Sequence, residues 1–409
     1  MRLRRLLVLL ALLPPTRLAA SDFPQWRGPD RDGRVSMAAR ASWPEALALG
    51  WKVKVGVGHA SPVVAGDRAF LFSREGEEEV TQSFEIATGK RVWRAAYPAP
   101  YSMNPAALGH GKGPKSTPVV ANGRLYTLGI GGVLSCFDAT SGHLVWRKDF
   151  KGQFKETSPT FGTAMSPVVD GGLVIAHVGG QGDGALTAFD ASTGAVRWAW
   201  KGDGPGYASP VVGTIGGVRQ VVTQTQANLV GLSAEQGELL WKIPLSTPYE
   251  QNAVTPVLAG DLLVYGGLDL PLRAVRFARK GAAWTPERVW ENAEVSTYLS
   301  SPVLEGGKLY GHSHRKRGQL FCLDASTGRT VWLSDGRQAE NAAVLAGGGV
   351  LFFLTTDGAL IVAARDAPAF KALRTWQVAE SATWAHPAIV EGAVLVKDVD
   401  TLTLWRMPQ

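Results

Sequence analysis

The stretch Ser301–Trp332, SPVLEGGKLYGHSHRKRGQLFCLDASTGRTVW, is one complete unit of a repeat that runs through the chain. It reads as an apolar strand, a glycine turn, a second strand, a loop, a third strand, a polar turn and a last strand ending in Trp. The opening phrase returns as SPVV, TPVV, TPVL or HPAIV at Ser61, Thr117, Ser166, Ser209, Thr255 and His386. A period of about 40 to 50 residues with four short strands is typical of a β-propeller blade.

Counting openings and closings predicts eight blades. Closing tryptophans occur at Trp93, Trp146, Trp198, Trp241, Trp290, Trp332 and Trp376, whereas first strands open near Ser61, Ser116, Ser166, Ser209, Thr255, Ser301, Ala342 and His386. The last repeat stops after its third strand, which contains Trp405. We therefore expect Leu49–Gly56, with Trp51 in the closing position, to complete this blade and leave no open sheet edge.

The residues of the repeat have structural explanations. Pro at the second position suits an innermost strand, where a missing N–H breaks no ladder bond. In the turn DASTG, the Asp carboxylate can bond turn amides and Gly accepts a positive φ. The Trp that follows is a large apolar plate that can pack between adjacent blades.

The N-terminus predicts an exported protein. Arg2, Arg4 and Arg5 precede the apolar run Leu6–Leu13, and small residues follow at 19–21. This is the pattern of a secretory signal, and it is too short to span a membrane. We expect a signal peptide over 1–21, an N-terminal extension over 22–48 and the propeller over 49–409. With no Cys near the cleavage site and no other long apolar run, the pattern predicts a periplasmic or secreted monomer, neither a lipoprotein nor a membrane-spanning protein.

Charge and cysteine content narrow the function further. The chain carries a net charge of +7, but removing the four arginines of the signal leaves 38 basic against 35 acidic side chains, and nucleic-acid binding has no support. Cys136 and Cys322 occupy the same place in repeats four blades apart, so they should lie on opposite sides of the ring. A disulfide requires Cα atoms within about 7 Å, so we expect both to be free and buried.

The combined phrase SPVV…GxLxxLDAxTGxxxW resembles the quinoprotein (PQQ-type) β-propeller repeat, and the resemblance extends from Trp51 to Trp405. FPQWRGPDRDG, Phe23–Gly33, and GHGKGPKSTPVV, Gly109–Val120, are similar to segments of exported PQQ-like propellers. The resemblance implies blade docking by Trp51, Trp93, Trp146, Trp198, Trp241 and Trp332. Trp290 and Trp376 lack an upstream turn ending in Gly, so the resemblance does not carry this role to them.

Two branches of this repeat group frame the functional alternatives. PQQ-dependent alcohol dehydrogenases hold PQQ and Ca²⁺ over the funnel, with an adjacent cysteine pair and a catalytic Asp. This chain has no adjacent cysteine pair and is much shorter. BamB-type assembly lipoproteins resemble it in length, in eight blades and in lacking the cofactor site, but they carry a lipid on an N-terminal Cys that this chain lacks.

A candidate ligand site is expected at one mouth of the channel. The connections from strand four of one blade to strand one of the next gather there, and two are long, Arg94–Lys115 and Arg147–Met165, as expected for a lid. Residues just before the first strands should line this mouth: His59, Lys115, Tyr207, Asn252, Tyr298, Asn341 and His386. Tyr101, Asn104, His110 and Lys112 are further candidates from the first loop. Such a ring suits an anionic or quinone-like ligand, or else it simply holds water.

No catalytic or metal constellation emerges from the sequence. His312 and His314 are spaced like a metal pair, but no third ligand is identifiable, and a surface loop is the simpler interpretation. The leading hypothesis is a non-catalytic exported propeller that binds or scaffolds protein partners, with cell-envelope protein assembly as the process in which it would act. The alternative is a divergent quinoprotein that binds PQQ or another small redox ligand in the funnel. A glycan-binding or hydrolytic propeller is a third possibility, with no paired carboxylates to favour it.

Overall fold

The computed structural model describes residues 22–390 and 392–408, and the predicted signal peptide, 1–21, lies outside them. Within these residues, 32 strands form eight antiparallel sheets of four strands each. The strands of seven sheets are consecutive in the chain, and the eighth combines three C-terminal strands with the first strand of the fold. The predicted eight-bladed β-propeller is therefore confirmed.

Blades 1 to 4 each run from an inner short strand to an outer strand. Blade 1 contains β2 (Val63–Ala65), β3 (Arg68–Glu75), β4 (Glu78–Glu85) and β5 (Arg91–Pro98). Blade 2 contains β6 (Val119–Ala121), β7 (Arg124–Leu128), β8 (Leu134–Asp138) and β9 (Leu144–Lys148). Blade 3 contains β10 (Val168–Asp170), β11 (Leu173–Gly180), β12 (Asp183–Asp190) and β13 (Val196–Trp200). Blade 4 contains β14 (Val211–Ile215), β15 (Val218–Gln224), β16 (Asn228–Ser233) and β17 (Leu239–Pro244).

Blades 5 to 7 follow the same order. Blade 5 contains β18 (Val257–Ala259), β19 (Leu262–Tyr265), β20 (Leu272–Lys280) and β21 (Ala283–Asn292). Blade 6 contains β22 (Val303–Glu305), β23 (Lys308–Ser313), β24 (Gln319–Asp324) and β25 (Thr330–Leu333). Blade 7 contains β26 (Ala342–Gly347), β27 (Val350–Thr355), β28 (Ala359–Ala364) and β29 (Ala372–Gln377). Short 3₁₀ helices cover Pro105–His110, Pro248–Glu250 and Arg315–Arg317.

Blade 8 closes the ring in the predicted way. It contains β30 (Ala388–Val390), β31 (Ala393–Lys397), β32 (Thr401–Arg406) and, as its outer strand, β1 (Ala48–Lys54). In the β1–β32 pairing, Trp51 lies opposite Leu404 and Val53 opposite Leu402. Backbone hydrogen bonds between the two ends of the chain thus replace an open edge.

Five of the closing tryptophans pack their blade against the turn glycine of the following blade. A Cβ added to Gly237 in blade 4 would lie 2.5 Å from the ring of Trp198 in blade 3, so only glycine lets the turn approach so closely. The Trp198 indole also donates to the Ala234 carbonyl at 3.2 Å. The same ring-on-glycine contact joins Trp51 to Gly89, Trp93 to Gly142, Trp146 to Gly194 and Trp290 to Gly328.

This arrangement corrects the expectation for Trp290. The glycine that matters belongs to the next blade and not to the strand's own hairpin, so Trp290 docks on blade 6 like the others and donates to Ala325 O at 3.0 Å. Blades 5 and 7 have no such glycine turn between their last two strands, so the tryptophans of the blades before them, Trp241 and Trp332, pack on other residues. Trp241 packs on Phe277, with ring centroids 4.3 Å apart, and Trp332 packs on Phe370 at 5.7 Å. Trp376 donates instead to the Pro44 and Glu45 carbonyls of the N-terminal extension.

Both cysteines lie opposite a closing tryptophan. Cys136 pairs with Trp146 and Cys322 with Trp332 across the last two strands of their blades. Blades 1, 3, 4 and 5 place Ser83, Ala188, Gly231 and Ala274 at this position. Blades 7 and 8 place Leu360 and Leu404 there, so the position accepts residues of different size. Both thiols are free and buried, as predicted, and burial raises the pKa of each to about 11.

The N-terminal segment 22–35, here called the channel plug, fills the centre of the ring and contacts all eight innermost strands or their leaders. Two buried cations anchor it. Arg31 donates to the Ser166, Pro167 and Pro210 carbonyls at 2.9 to 3.0 Å, and Arg27 donates to Pro302 O. The remaining contacts are Phe23 with Val64, Pro24 with Val120, Trp26 with Thr255 and His386, and Gly33 and Val35 with Ala346.

Repeat hydroxyls form a belt around this plug. The backbone N–H of Ser61 donates to Thr117 Oγ1 of the next blade, Thr117 N–H to Ser166 Oγ, and Ser166 N–H to Ser209 Oγ. Thr255 N–H bonds Ser301 Oγ, and His386 N–H bonds Ser61 Oγ. The Ser or Thr hydroxyl of these repeats therefore accepts a hydrogen bond from the backbone N–H of the opening residue in the preceding blade, which has no partner within its own sheet.

His312 and His314 lie in different surroundings. His312 lies on β23, 2% exposed, with its Nε2 at 3.1 Å from Ala339 O, so the surface-loop interpretation was wrong for this residue. His314 follows the strand, and its two ring nitrogens lie 3.0 Å from Ser296 O and from Asp269 Oδ1, so both already have protein partners. Within the described part of the chain, no helix has the length and apolarity needed to cross a bilayer.

Candidate functional site

A cavity of about 240 Å³ opens at the mouth where strand-four connections meet strand-one leaders. Its lining is largely apolar and aromatic, with one lysine and a few amides and hydroxyls. The lining residues are Trp26, His59, Ala106, His110, Lys115, Phe161, Ala164, Tyr207, Ser209, Gln251, Ala253, Tyr298, Leu299, Asn341 and Trp384. Because Trp26 belongs to the channel plug, the plug forms part of the cavity wall and the funnel is not an open pore.

The repeat explains which side chains reach the cavity. Seven blades open with Ser, Thr or His followed by Pro, and in each of them the residue two positions before that Ser, Thr or His lines the cavity. These residues are His59, Lys115, Ala164, Tyr207, Ala253, Leu299 and Trp384. Blade 7 lacks the Ser-Pro opening and contributes Asn341. A fixed offset from the strand start gives a fixed side-chain direction, because side chains alternate along an extended backbone.

Five of the seven residues predicted for the mouth line the cavity: His59, Lys115, Tyr207, Tyr298 and Asn341. Asn252 and His386 do not, although Tyr298, which stands at the same offset before its strand as Asn252, does. The Asn252 amide is buried and donates to the Thr225, Gln226 and Leu245 carbonyls at 2.9 to 3.0 Å, which makes it a structural clip. His386 occupies the Ser position itself and lies behind Trp26, with ring centroids 4.3 Å apart.

Sequence reasoning missed the aromatic residues Trp26, Phe161 and Trp384. Trp384 could have been found, because it stands at the same offset before its strand as His59 and Lys115 do. Phe161 belongs to a loop without repeat character, and Trp26 reaches the site through the plug. No local pattern marks either position.

Both predicted long loops contribute to the mouth, but each is shorter at its start than expected. The β4–β5 hairpin continues to Pro98, which pairs with Glu78, so the first loop begins at residue 99. This loop supplies Ala106, His110 and Lys115. The second loop follows β9 and supplies Phe161 and Ala164. Of the further loop candidates, Tyr101, Asn104 and Lys112 do not line the cavity, and Lys112 pairs with Glu77 at 3.5 Å.

Two aromatic groups stand on different sides of the cavity. His110 packs edge-on against Trp384 at a centroid distance of 4.9 Å, and His59 packs on both rings at 5.8 and 6.1 Å. Phe161 and Tyr207 form the second group, with centroids 5.9 Å apart. Trp384 precedes blade 8 and Tyr207 precedes blade 4, and blades four places apart in a ring of eight face each other across the axis.

The described cavity lining contains one charged side chain, the partly desolvated ammonium group of Lys115, among neutral groups. Burial lowers the pKa of Lys115 to about 8, and its ammonium group donates to Phe161 O at 2.7 Å. Burial, together with the neighbouring His110 and Lys115, lowers the pKa of His59 to about 3, and burial also lowers the pKa of His110. Both imidazoles are therefore neutral near pH 7, and Lys115 carries the charge of the described lining.

The described lining does not fit a calcium-held cofactor. Ca²⁺ takes six to eight oxygen ligands, carboxylates above all, whereas no Asp or Glu is among the described lining residues. Over residues 22–390 and 392–408, no group of three or more His, Cys, Asp or Glu side chains is placed to hold a metal ion. The Ca²⁺–PQQ arrangement of the alcohol dehydrogenases therefore has no counterpart in this cavity.

Fold and repeat define the class first: the protein is an eight-bladed propeller of PQQ-type repeats with a plugged channel. The chain belongs to the family described as outer membrane protein assembly factor BamB, whose sequence model matches residues 76–334. BamB of Shewanella oneidensis is 25% identical over 265 residues, which span 62% of this chain and 65% of that protein. BamB of Burkholderia pseudomallei is 25% identical over 369 residues, 85% of this chain and 74% of that protein.

Solved structures agree on the fold. BamB from Moraxella catarrhalis superposes with a TM-score of 0.61 at 14% identity, covering 88% of this chain and 100% of that structure. Quinohemoprotein alcohol dehydrogenase from Comamonas testosteroni superposes with a TM-score of 0.64 at 16% identity, covering 95% of this chain and 82% of that structure. At these identities the likeness concerns architecture only.

Proposed function

We propose that this protein is an exported, non-catalytic propeller that binds protein partners in cell-envelope protein assembly. The observation that carries the proposal is membership of the BamB family over residues 76–334. Its export rests on the signal-like segment 1–21, with cleavage near residues 20–22 giving a mature protein without a lipid anchor. We propose that the mature protein is a monomer.

The funnel face offers the partner-binding surface. The loops there expose large apolar side chains to solvent: Leu108 is 64% exposed on its 3₁₀ helix, and Tyr249 is 80% exposed before blade 5. Exposed aromatic and apolar anchors beside a concavity are the kind of residue that dominates protein interfaces. Tyr249 also has a φ of +59°, a conformation that is unusual for a non-glycine residue.

Site-specific photo-crosslinking tests this proposal. A photoreactive phenylalanine analogue replaces Tyr249 or Leu108 on the funnel face, or Ser192 in the turn between β12 and β13 on the opposite face. In the native cell envelope we expect adducts with an envelope assembly protein from the first two positions and none from Ser192. Adducts from Ser192 alone, or no envelope adduct from any position, would contradict the proposal.

The alternative, a divergent quinoprotein, makes a different prediction. If the funnel holds PQQ as the alcohol dehydrogenases do, Ca²⁺ should strengthen PQQ binding. Because no carboxylate belongs to the described lining, we expect titrations of PQQ with and without Ca²⁺ to give the same result. Calcium-dependent saturation would favour the quinoprotein alternative.

A further inference from the structure

The funnel cavity has features of a small-molecule site that partner binding on the loops does not require. Its walls enclose about 240 Å³, and its residues come from all eight blade openings, two long loops and the channel plug. Ligand pockets in proteins are concave and mostly apolar, with a few polar groups that fix orientation. This lining has the same composition.

The aromatic groups favour a flat ring. His59, His110 and Trp384 cluster at the openings of blades 8 and 1, while Phe161 and Tyr207 form the group before blade 4 on the other side of the axis. A ring placed between two such groups gains stacking or edge-to-face contact on both sides, at about 0.5–1.5 kcal/mol for each pair beyond burial. An aliphatic ligand of equal size would lack this gain.

The charge favours an anion. Lys115 lies in the cavity wall, partly desolvated, and among the described residues no acidic side chain offsets its burial. One of its three donors is used by Phe161 O. Partial desolvation of an ammonium group without a carboxylate partner is unfavourable, and a ligand carboxylate would supply both the opposite charge and a charge-assisted hydrogen bond.

Neutral polar groups complete the recognition surface. The Tyr207 hydroxyl accepts the Phe161 N–H at 3.2 Å, which leaves its own proton available to donate. The Asn341 side chain also lines the cavity and offers both a donor and an acceptor. These groups can bond the second carboxylate oxygen or a ring substituent without adding charge.

We propose that the funnel cavity binds a small planar aromatic monocarboxylate, with Lys115 holding the carboxylate and the two aromatic groups holding the ring. The site requires neither a metal nor redox chemistry. It goes beyond the assembly function proposed above and does not depend on it, because partner crosslinking at Tyr249 and Leu108 reports on the outer loops.

Isothermal titration of the full mature chain with three probes tests the proposed chemistry. The probes are 2-naphthoate, its neutral relative 2-naphthylmethanol, and cyclohexanecarboxylate, which keeps the charge but not the flat ring. We expect saturable binding of 2-naphthoate and affinities at least about tenfold weaker for the other two, one lost charge-assisted bond or stacking contact each. No saturation with 2-naphthoate, or equal affinity for the neutral alcohol, would overturn the proposal.

Two lysines of the same loop provide a matched pair of variants. Lys115→Gln should weaken 2-naphthoate binding by about 10- to 100-fold, and Lys115→Arg should recover most of the affinity by keeping the charge. Lys112→Gln should leave it within about twofold, because that lysine faces Glu77 outside the cavity. Equal losses for Lys115→Gln and Lys112→Gln, or no recovery with Lys115→Arg in a variant with the wild-type urea midpoint, would refute the role of Lys115.

Discussion

Replacing one turn glycine tests whether the tryptophan of the preceding blade, and not the turn alone, requires glycine. Gly237 in blade 4 has a φ of +71°, and a Cβ there would lie 2.5 Å from the Trp198 ring. Gly217, in the first turn of the same blade, has a φ of +78° and no atom within 4 Å of such a Cβ. Both positions carry the same backbone strain when substituted, but only Gly237 also carries the clash.

The expected magnitudes follow from these two contributions. Gly217→Ala should cost about 1–2 kcal/mol, the price of a left-handed conformation for an L-residue. Gly237→Ala should cost this amount plus about 1–3 kcal/mol for overpacking against a ring that is only 8% exposed and held by its bond to Ala234 O. Free energies of unfolding from equilibrium urea titrations measure the difference directly.

A double-mutant cycle separates the clash from the turn. In a Trp198→Ala background, Gly237→Ala should cost no more than Gly217→Ala does, because the ring that the new methyl group meets is gone. If the two glycine variants differ by less than about 0.5 kcal/mol in the wild-type background, the uncertainty expected for such comparisons, the docking explanation is refuted.

Three further predictions concern buried polar groups. Arg31→Met should lower the free energy of unfolding by about 3–5 kcal/mol, because three carbonyls just before the inner strands lose their donor. Arg34→Met should cost less than about 1 kcal/mol, since its ion pair with Asp32 is exposed, and thermal melts that show equal losses would contradict this. Burial raises the pKa of Glu79, which accepts from Tyr97 and from Ile130 N–H, so urea titrations should find Glu79→Gln much less destabilising than Glu79→Ala. Burial lowers the pKa values of four histidines to about 3 or 4: His59, His177, His312 and His386. Because these side chains are protonated only in the unfolded chain as the pH falls from about 6.5 toward 4, the free energy of unfolding should fall by up to about 1.4 kcal/mol per pH unit for each of them. Urea midpoints that stay flat between pH 7 and 5 would exclude this contribution.

Much of the cavity could be predicted because the repeat has a constant register. The offset of two residues before the Ser or Thr places His59, Lys115 and Tyr207 at the mouth. The same rule applied strictly would have chosen Trp384 over His386. Asn252 also precedes a first strand, but the residue at the offset of two is Ala253, and the Asn252 amide bonds backbone carbonyls and does not line the cavity.

The sequence by itself determined the blade count and the closure of blade 8 by β1. Apolar residues, turns and Trp recur with a fixed local pattern, which gives the count, and the last repeat lacks a fourth strand, which an N-terminal strand with a matching Trp can supply. Only the tertiary structure decided that the turn glycine serves the tryptophan of the preceding blade, and that segment 22–35 fills the channel. Those contacts join residues as distant as Arg31 and Pro210, and they form only when eight blades close around a common axis and bring the inner carbonyls together.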